Sequence, residues 1–439
     1  MREMKDSGIE WVGKVPKIWS LKPIRALFDE VTEKNFLGTC SNALKFTYGS
    51  IVRKPNFDAD ADDYVASTIL NYTVVEPGAI MLNGLNLNFD FVSQRIGLVK
   101  EKGVITSAYM AFKPNEKHLI DSEFATYLFK AYDGCKAFHN MGGGVRKILN
   151  FNEFKKYYIP LPDLNEQHHI VDYLDTKCSE IDATAEDIQK EIALLEEYKK
   201  SVITEAVTKG LNPDAEMKDS GIEWIGEIPK HWEVLRFDYL LYERTEKNSP
   251  IITDERLALS IDKGITLYSE KTTNLDRFKE DVSQYKIAYV GDFVMNSMNM
   301  IVGAVDVSPY FGCVSPAYYV FYDDNAEHYI CRFCNYLFHT PVLKKVLYSL
   351  GKGIMAIDRG DGKVNTCRLK VSRYDLAKLK IPVPINREII KIVDFLDTKC
   401  SAIDTLIADK KRQLDILADY KKSLIYEYVT GKKEVPVNE

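Results

Sequence analysis

The sequence predicts an α+β protein with a pseudo-twofold internal repeat, in which two globular domains are separated by an antiparallel coiled coil of two long helices. Three observations carry this expectation. Strings near the start and end of one half recur in the other, each half closes on a long stretch free of Gly and Pro with heptad spacing, and the remainder mixes β-rich runs with turn signals. With 439 residues, 46% of them apolar and 28% charged, the chain is long enough for more than one buried core, which excludes disordered and collagen-like classes.

The repeat is direct. Residues 4–19 read MKDSGIEWVGKVPKIW and residues 217–232 read MKDSGIEWIGEIPKHW, an offset of 213. At an offset of 222, IPLP (159–162) matches IPVP (381–384), VDYLDTKCSEID (171–182) matches VDFLDTKCSAID (393–404), and EYKKSVI (197–203) matches DYKKSLI (419–425). Weaker echoes lie between, such as PGAIMLN (77–83) with VGDFVMN (290–296) and SAYMAF (107–112) with PAYYVF (316–321). The ends of the unit are kept and the middles have diverged.

The β-rich runs include 89–99 and 286–295, with turn signals at Pro77-Gly78 and Gly291-Asp292. From Glu166 to Thr208 apolar or small residues fall at Val171, Leu174, Cys178, Ile181, Ala185, Ile188, Ile192, Leu195, Val202 and Ala206, with Lys199 interrupting the seam. The second copy repeats it from Val393 to Tyr428, with Lys410 and Lys421 as its exceptions. Asn165 and Asn386 are candidate caps, and Gly210 and Gly431 supply stops. The expected domains are 1–165 and 210–387, the expected helices 166–209 and 388–433, and 434–439 a tail. Because a domain's termini usually lie close together, the two helices should run antiparallel, and about 43 residues of helix span roughly 65 Å.

These residues resemble the DNA specificity subunit of type I restriction-modification systems over essentially the whole chain. The resemblance rests on SGIEW-x-G-x-x-P-x-x-W opening each half (Ser7 to Trp19, Ser220 to Trp232) and on the I-P-x-P exit into a Glu-containing helix start. The first copy carries Glu166-Gln167 there and the second departs with Glu388-Ile389. The resemblance implies two target recognition domains, each reading one half of a bipartite, asymmetric double-stranded DNA site, with the helix pair setting the unread spacer. It also implies two methyltransferase subunits as partners and, in the full complex, motor-nuclease subunits. Half-sites on one DNA face recur about every 34 Å, within reach of such a spacer.

Net charge sharpens the expectation. The whole chain is at -6, but 166–209 carries -6 and 388–431 carries -1, so the globular parts are close to neutral. Within them Lys344 to Lys380 is at +7 and Lys130 to Lys156 at +4, each around a glycine-rich segment, GKGIMAIDRGDGK (351–363) and MGGGVRK (141–147). Glycines let backbone amides approach phosphates while Lys and Arg neutralise them, and Arg pairs bidentately with guanine. The candidate DNA contacts are therefore Arg146, Lys147, Lys352, Arg359, Lys363 and Arg368, with Arg53, Lys54, Arg95 and Arg277 as further exposed candidates.

No catalytic residue, metal or cofactor is expected. The P-loop pattern and the motifs of an amino-methyltransferase are missing, so methylation and cleavage are assigned to partners. A nuclease-like string, Pro213 to Lys218, is too compact for strand-borne acids. His328, Cys331, Cys334 and His339 have zinc-like spacing, but the matching helix of the first copy keeps the aromatics Phe124 and Tyr127 and has none of the ligands. Eight scattered cysteines and a charged N-terminus are read as a reduced, cytoplasmic protein without a membrane span. The competing reading is a coiled-coil scaffold that holds two protein-binding domains and never touches DNA.

Overall fold

A computed structural model describes residues 2–47, 49–54, 68–87, 94–116, 118–144, 147–271, 281–354 and 368–436. It divides into two compact units, Met1–Gln189 with Arg412–Glu439, and Lys190–Lys411. Each unit therefore contains the start of one long helix and the end of the other.

In unit 1 the central sheet is built from β1 (Phe28–Glu30), β2 (Ile80–Leu82), β3 (Ile96–Leu98) and β4 (Met110–Pro114), antiparallel in the order β1-β4-β2-β3. Helix α1 (Ser122–Gly134) packs on it, capped by Asp121, whose carboxylate accepts from the amides of Glu123 and Phe124 at 2.9 and 2.8 Å. Phe28, Phe112, Phe129 and Phe154 fill the space between, their rings meeting edge-on or tilted at 5.3 to 5.8 Å. Helix α2 (Leu164–Lys209) leaves this unit from the strand Tyr158–Leu161, which pairs with Ser20–Pro23.

Unit 2 repeats the topology. Strands β5 (Tyr242–Glu243), β6 (Phe293–Asn296), β7 (Val305–Val307) and β8 (Tyr318–Tyr322) lie in the order β5-β8-β6-β7, and helix α3 (Tyr329–His339) packs on β6 and β7. The strand Lys380–Val383 pairs with Glu233–Arg236 and feeds helix α4 (Asn386–Val429). The diverged middles have kept one sheet order, which the weak echoes at 77–83 and 290–296 already hinted at.

The repeated strings are the contacts that join the parts of a unit. The opening string forms a hairpin, Met4–Asp6 with Lys14–Pro16 in unit 1 and Met217–Asp219 with Glu227–Pro229 in unit 2. The buried Trp that follows donates its Nε1–H to the glutamate at the helix start, Trp19 to Glu166 Oε2 and Trp232 to Glu388 Oε2, both at 2.9 Å. In unit 1 Arg2 joins Glu166 to Glu434, and in unit 2 His231 Nε2 lies 2.7 Å from Glu388 Oε2. The glycine ending each long helix packs against the same Trp: Gly431 against Trp19 and Gly210 against Trp232. Both have positive φ, +70° and +78°, and a Cβ on either would lie within about 3 Å of its neighbours.

Where the copies differ, Gln167 is buried, accepts from the Asp121 amide at 2.8 Å and donates to the carbonyls of Leu119 and Pro162. Its counterpart Ile389 is 2% exposed in an apolar core. The same helix start is thus anchored by hydrogen bonds in one unit and by apolar packing in the other. Asp163, not Asn165, caps α2, accepting from the Glu166 amide at 2.9 Å; Asn165 lies inside the helix and Asn386 is the first residue of α4.

Along the helices the expected seam is the covered face. Val171, Leu174, Cys178 and Ile181 are buried in unit 1 with Leu424 and Tyr428, and Ala206, Val393, Leu396, Cys400, Ile403 and Ile407 are buried in unit 2. Within each unit the two helices pair antiparallel. All three lysines that interrupt the seam meet an acid on the other helix: Lys421 with Asp182 at 2.6 Å in unit 1, and in unit 2 Lys199 with Asp404 at 2.6 Å and Lys410 with Glu191 at 2.5 Å. The first two are the same contact made once in each unit, at the 222-residue offset. Tyrosines on α1 and α3 bind the equivalent aspartates of the LDTKC string, Tyr127 to Asp175 at 2.6 Å and Tyr336 to Asp397 at 2.5 Å. The kept strings are therefore structural joints.

The acids in the lysine pairs are more than half exposed, so each pair contributes at most about 1 kcal/mol, whereas removing a buried leucine side chain costs about 2–5 kcal/mol. Leu396→Ala should accordingly lower the urea midpoint of helical circular dichroism far more than Lys199→Ala. Equal shifts would mean that the ion pairs, not the apolar seam, hold the helices.

Candidate nucleic-acid interface

The strand leading into the middle of each unit ends in a short loop. In unit 1, Asn83 Oδ1 accepts from the Leu85 amide at 3.2 Å, and in unit 2, Asn296 Oδ1 accepts from the Met298 amide at 3.1 Å. Each loop is tied by backbone to the basic segment singled out in the sequence. The Leu149 amide donates to Gly84 O at 2.9 Å, and the Val371 amide donates to Ser297 O at 3.1 Å. Leu149 and Val371, each just beyond a glycine-rich segment, thus occupy equivalent places, beside the loop after the second strand of the central sheet.

In unit 1 the juxtaposition is close. Leu87 N donates to Lys147 O at 3.1 Å, and Gly143 bridges Ile148. A Cβ on Gly84 would come within 2.3 Å of Leu149 O, so only glycine allows the two segments to approach this way. Arg95 holds the loop from behind, donating Nη1 to the carbonyls of Asn83 and Leu85 at 2.8 Å each and Nη2 to Asn86 O at 3.3 Å. It is 6% exposed. The expectation that Arg95 is an exposed contact is corrected: its guanidinium is consumed by three carbonyls of the loop it supports.

Of the six candidate contacts, Lys147 and Lys352 are described in full. Lys147 is half-buried with a φ of +39° and turns its Nζ to His139 O at 3.1 Å. Lys352 lies in the strand Lys352–Ile354, its side chain 78% exposed and 3.1 Å from Asp375 Oδ2. Asp375 also accepts from Ser372 Oγ at 2.7 Å, and that bond with the Lys352 contact holds its carboxyl below the usual range. Arg368 opens the strand Arg368–Lys370, with its backbone opposite Ile354. Arg146, Arg359 and Lys363 lie outside the described residues, as does Arg277. Arg53 and Lys54 are exposed at and just beyond the strand Ser50–Arg53.

The supporting loops 83–87 and 296–300 were missed from sequence. Their signal was present in the PGAIMLN and VGDFVMN echo, which ends on the asparagine that shapes each loop.

The cysteines of the zinc-like spacing are core. Cys331 and Cys334 are wholly buried on α3, burial pushes both thiols well up, and Asp323 caps the helix through the amides of Ile330 and Cys331. Among the described residues no group of three His, Cys, Asp or Glu could hold a metal ion, and no helix is long and apolar enough to cross a membrane.

Residues 25–194 match the family model described as the type I restriction modification DNA specificity domain. Two curated proteins of Methanocaldococcus jannaschii align over almost their whole length. The putative type I restriction enzyme MjaX specificity subunit is 21% identical, covering 97% of this chain and 96% of its own. The MjaVIII specificity subunit is 23% identical, covering 96% and 94%. Along nearly its whole length the chain is thus similar to type I restriction-modification specificity subunits. The match to the family model falls on the first copy. Two solved structures share this fold. One, from work on complex assembly and conformational transition of a type I R-M system, has a TM-score of 0.65 at 14% identity, covering 94% of this chain and 98% of that one. The HsdS subunit from Thermoanaerobacter tengcongensis has a TM-score of 0.50 at 15% identity, covering 95% and 98%.

Arg95→Met should free the 83–87 loop in unit 1 alone. Hydrogen bonds from a charged donor are worth about 1.5–3 kcal/mol, so amide exchange at Leu87 and Leu149 should quicken by one to two orders of magnitude while Val371 is unchanged. Unaltered exchange at Leu87 would show that the loop does not depend on Arg95.

Proposed function

We propose that this specificity subunit reads a bipartite, asymmetric double-stranded DNA site, one half with each unit, and that α2 and α4 set the unread spacer. The basic segments around 141–147 and 351–363 contact the DNA, with Arg146, Lys147, Lys352, Arg359, Lys363 and Arg368 supplying phosphate and base contacts. The globular domains 1–165 and 210–387 act as the readers. Chemistry comes from elsewhere: two methyltransferase subunits, and motor-nuclease subunits in the full complex, are directed to the site this chain selects. Its own residues bind and position, and it works in the cytoplasm, where the DNA is.

One observation carries the reading. The chain just beyond each basic glycine-rich segment, at Leu149 and at Val371, is backbone-tied to an equivalent loop in its unit, yet the side chains of the two segments differ. A pair of domains binding one protein twice would keep the same residues at that place, whereas two half-sites of different sequence need different ones. A net charge of -6 is no obstacle, because α2 concentrates the negative charge and leaves local positive stretches in the readers.

Deleting the gene should erase methylation at one bipartite motif genome-wide. Arg146→Ala with Lys147→Ala should weaken recognition through one half-site, by about 1–3 kcal/mol if an Arg reads guanine, and should lower the salt slope of DNA binding by about 1 per lost phosphate contact. An unchanged methylome in the deletion strain, with the partner genes expressed, would refute the reading. Loss spread evenly over both half-sites would refute the division of labour.

A further inference from the structure

A short kept string, TEKN, follows β1 at 32–35 and β5 at 245–248, an offset of 213. Its asparagine is buried in both units and pins the loop that comes next. Asn35 donates Nδ2 to Cys40 O at 2.8 Å and accepts from the Cys40 amide at 3.1 Å. Asn248 donates Nδ2 to Thr253 O at 2.8 Å and accepts from the Thr253 amide at 3.2 Å. In both units the acceptor lies five residues beyond the anchor, so the loops are of one length. Each presents two adjacent large apolar side chains to solvent: Phe36 is 68% and Leu37 89% exposed, Ile251 54% and Ile252 51%. Single exposed apolar residues are ordinary. An adjacent pair on a loop pinned by a buried amide, made in both units with different residues, calls for an occupant.

Strand register places these loops. In unit 1 Lys34 bridges Thr73, Thr73 stands opposite Ile105, and the chain turns through 106–109 to Met110, opposite Leu82, where the 83–87 loop begins. Lys34 Nζ spans the same turn, 2.5 Å from Ser107 Oγ. In unit 2 Lys247 bridges Lys286, Lys286 stands opposite Val314, and the chain turns through 315–317 to Tyr318, opposite Asn296, where the 296–300 loop begins. Lys286 Nζ donates to Tyr318 O at 2.8 Å. In each unit the apolar pair therefore leaves the same strand ends as the loop bonded to Leu149 or Val371. The lysine before each anchor rests on a neutral oxygen, Lys34 on Thr73 Oγ1 at 3.2 Å and Lys247 on Gln284 Oε1 at 3.0 Å. Apolar tips beside positive charge, continuous with the reading surface, fit duplex DNA.

We propose that Phe36-Leu37 and Ile251-Ile252 are apolar wedges, one in each unit, that press between the bases of one step in each half-site and partly unstack it. These side chains have nothing to bond on the sugar-phosphate backbone, whereas base faces are apolar once parted. Parting is easiest at pyrimidine–purine steps, so each wedge selects sequence through deformability, in addition to any contact with base edges. The pair stands at the start of the loop in unit 1 and near its end in unit 2, which gives the two half-sites different wedges. This rests on the functional reading above and adds two residues per unit to the reading surface.

The test uses the full chain assembled with the methyltransferase subunits of its own system, on duplexes carrying its bipartite site. 2-Aminopurine replaces in turn each purine of the half-sites, away from the methylated base and its neighbours. The unaltered complex should raise the emission at one step in each half-site. Phe36→Ser with Leu37→Ser should abolish the rise in one half-site, and Ile251→Ser with Ile252→Ser in the other. Each double variant should bind about tenfold more weakly with an unchanged salt slope, because no phosphate contact is lost. All four side chains are exposed, so the melting temperature should stay that of the parent. Tight binding by the parent without any rise, or the same rise kept by both variants, would overturn the wedges and leave the functional reading intact. A lower salt slope in the variants would overturn them by giving the loops to phosphates, and lost methyltransferase assembly would do so by giving the apolar pairs to a protein. A parent complex that binds its site no better than unrelated duplex would remove the functional reading and the wedges together.

Discussion

A helix of more than forty residues with one apolar stripe has to cover that stripe, and in this protein each unit covers it with the end of the other long helix. Every other joint follows from that constraint. The Trp donated to the first glutamate of one helix packs on the terminal glycine of the other, so hairpin, helix start and helix end are fixed at one point in each unit. The tyrosine of α1 or α3 then ties the globular part to the aspartate of the LDTKC string. Lysines within the stripe are tolerated because each finds a carboxylate across the helix pair at little energetic cost.

With the frame held by so few contacts, the middles are free to change. Unit 1 supports its strand-exit loop with a buried arginine and a glycine that permits close approach. Unit 2 has Ala304 where Arg95 stands and shapes its loop with the short helical turn Met300–Val302. Gln167 and Ile389 show the same freedom at the helix start, one solving the burial by hydrogen bonds and the other by apolar packing. Change of this kind alters the presented surface and spares the frame.

Much of this was legible in residues. The offset strings identified the duplication, and the heptads identified the covered face down to the three lysines that break it. The cap of α2 was misplaced by two residues, because Asp163 and Asn165 are equally good capping types and only the path of the chain out of the strand decides between them. Arg95 was misread for a related reason: an arginine in a polar loop looks exposed until three carbonyls are seen to converge on it.

By itself the sequence determined the repeat, the family resemblance and the periodicity of the long helices, because these are properties of spacing along one chain. Tertiary structure decided which residues of the kept strings meet, and that Leu149 and Val371 hydrogen-bond to equivalent strand-exit loops, one in each unit. Those are contacts between residues tens to hundreds of positions apart. No local pattern encodes them, since a tryptophan, an aspartate or a lysine carries no mark of its distant partner.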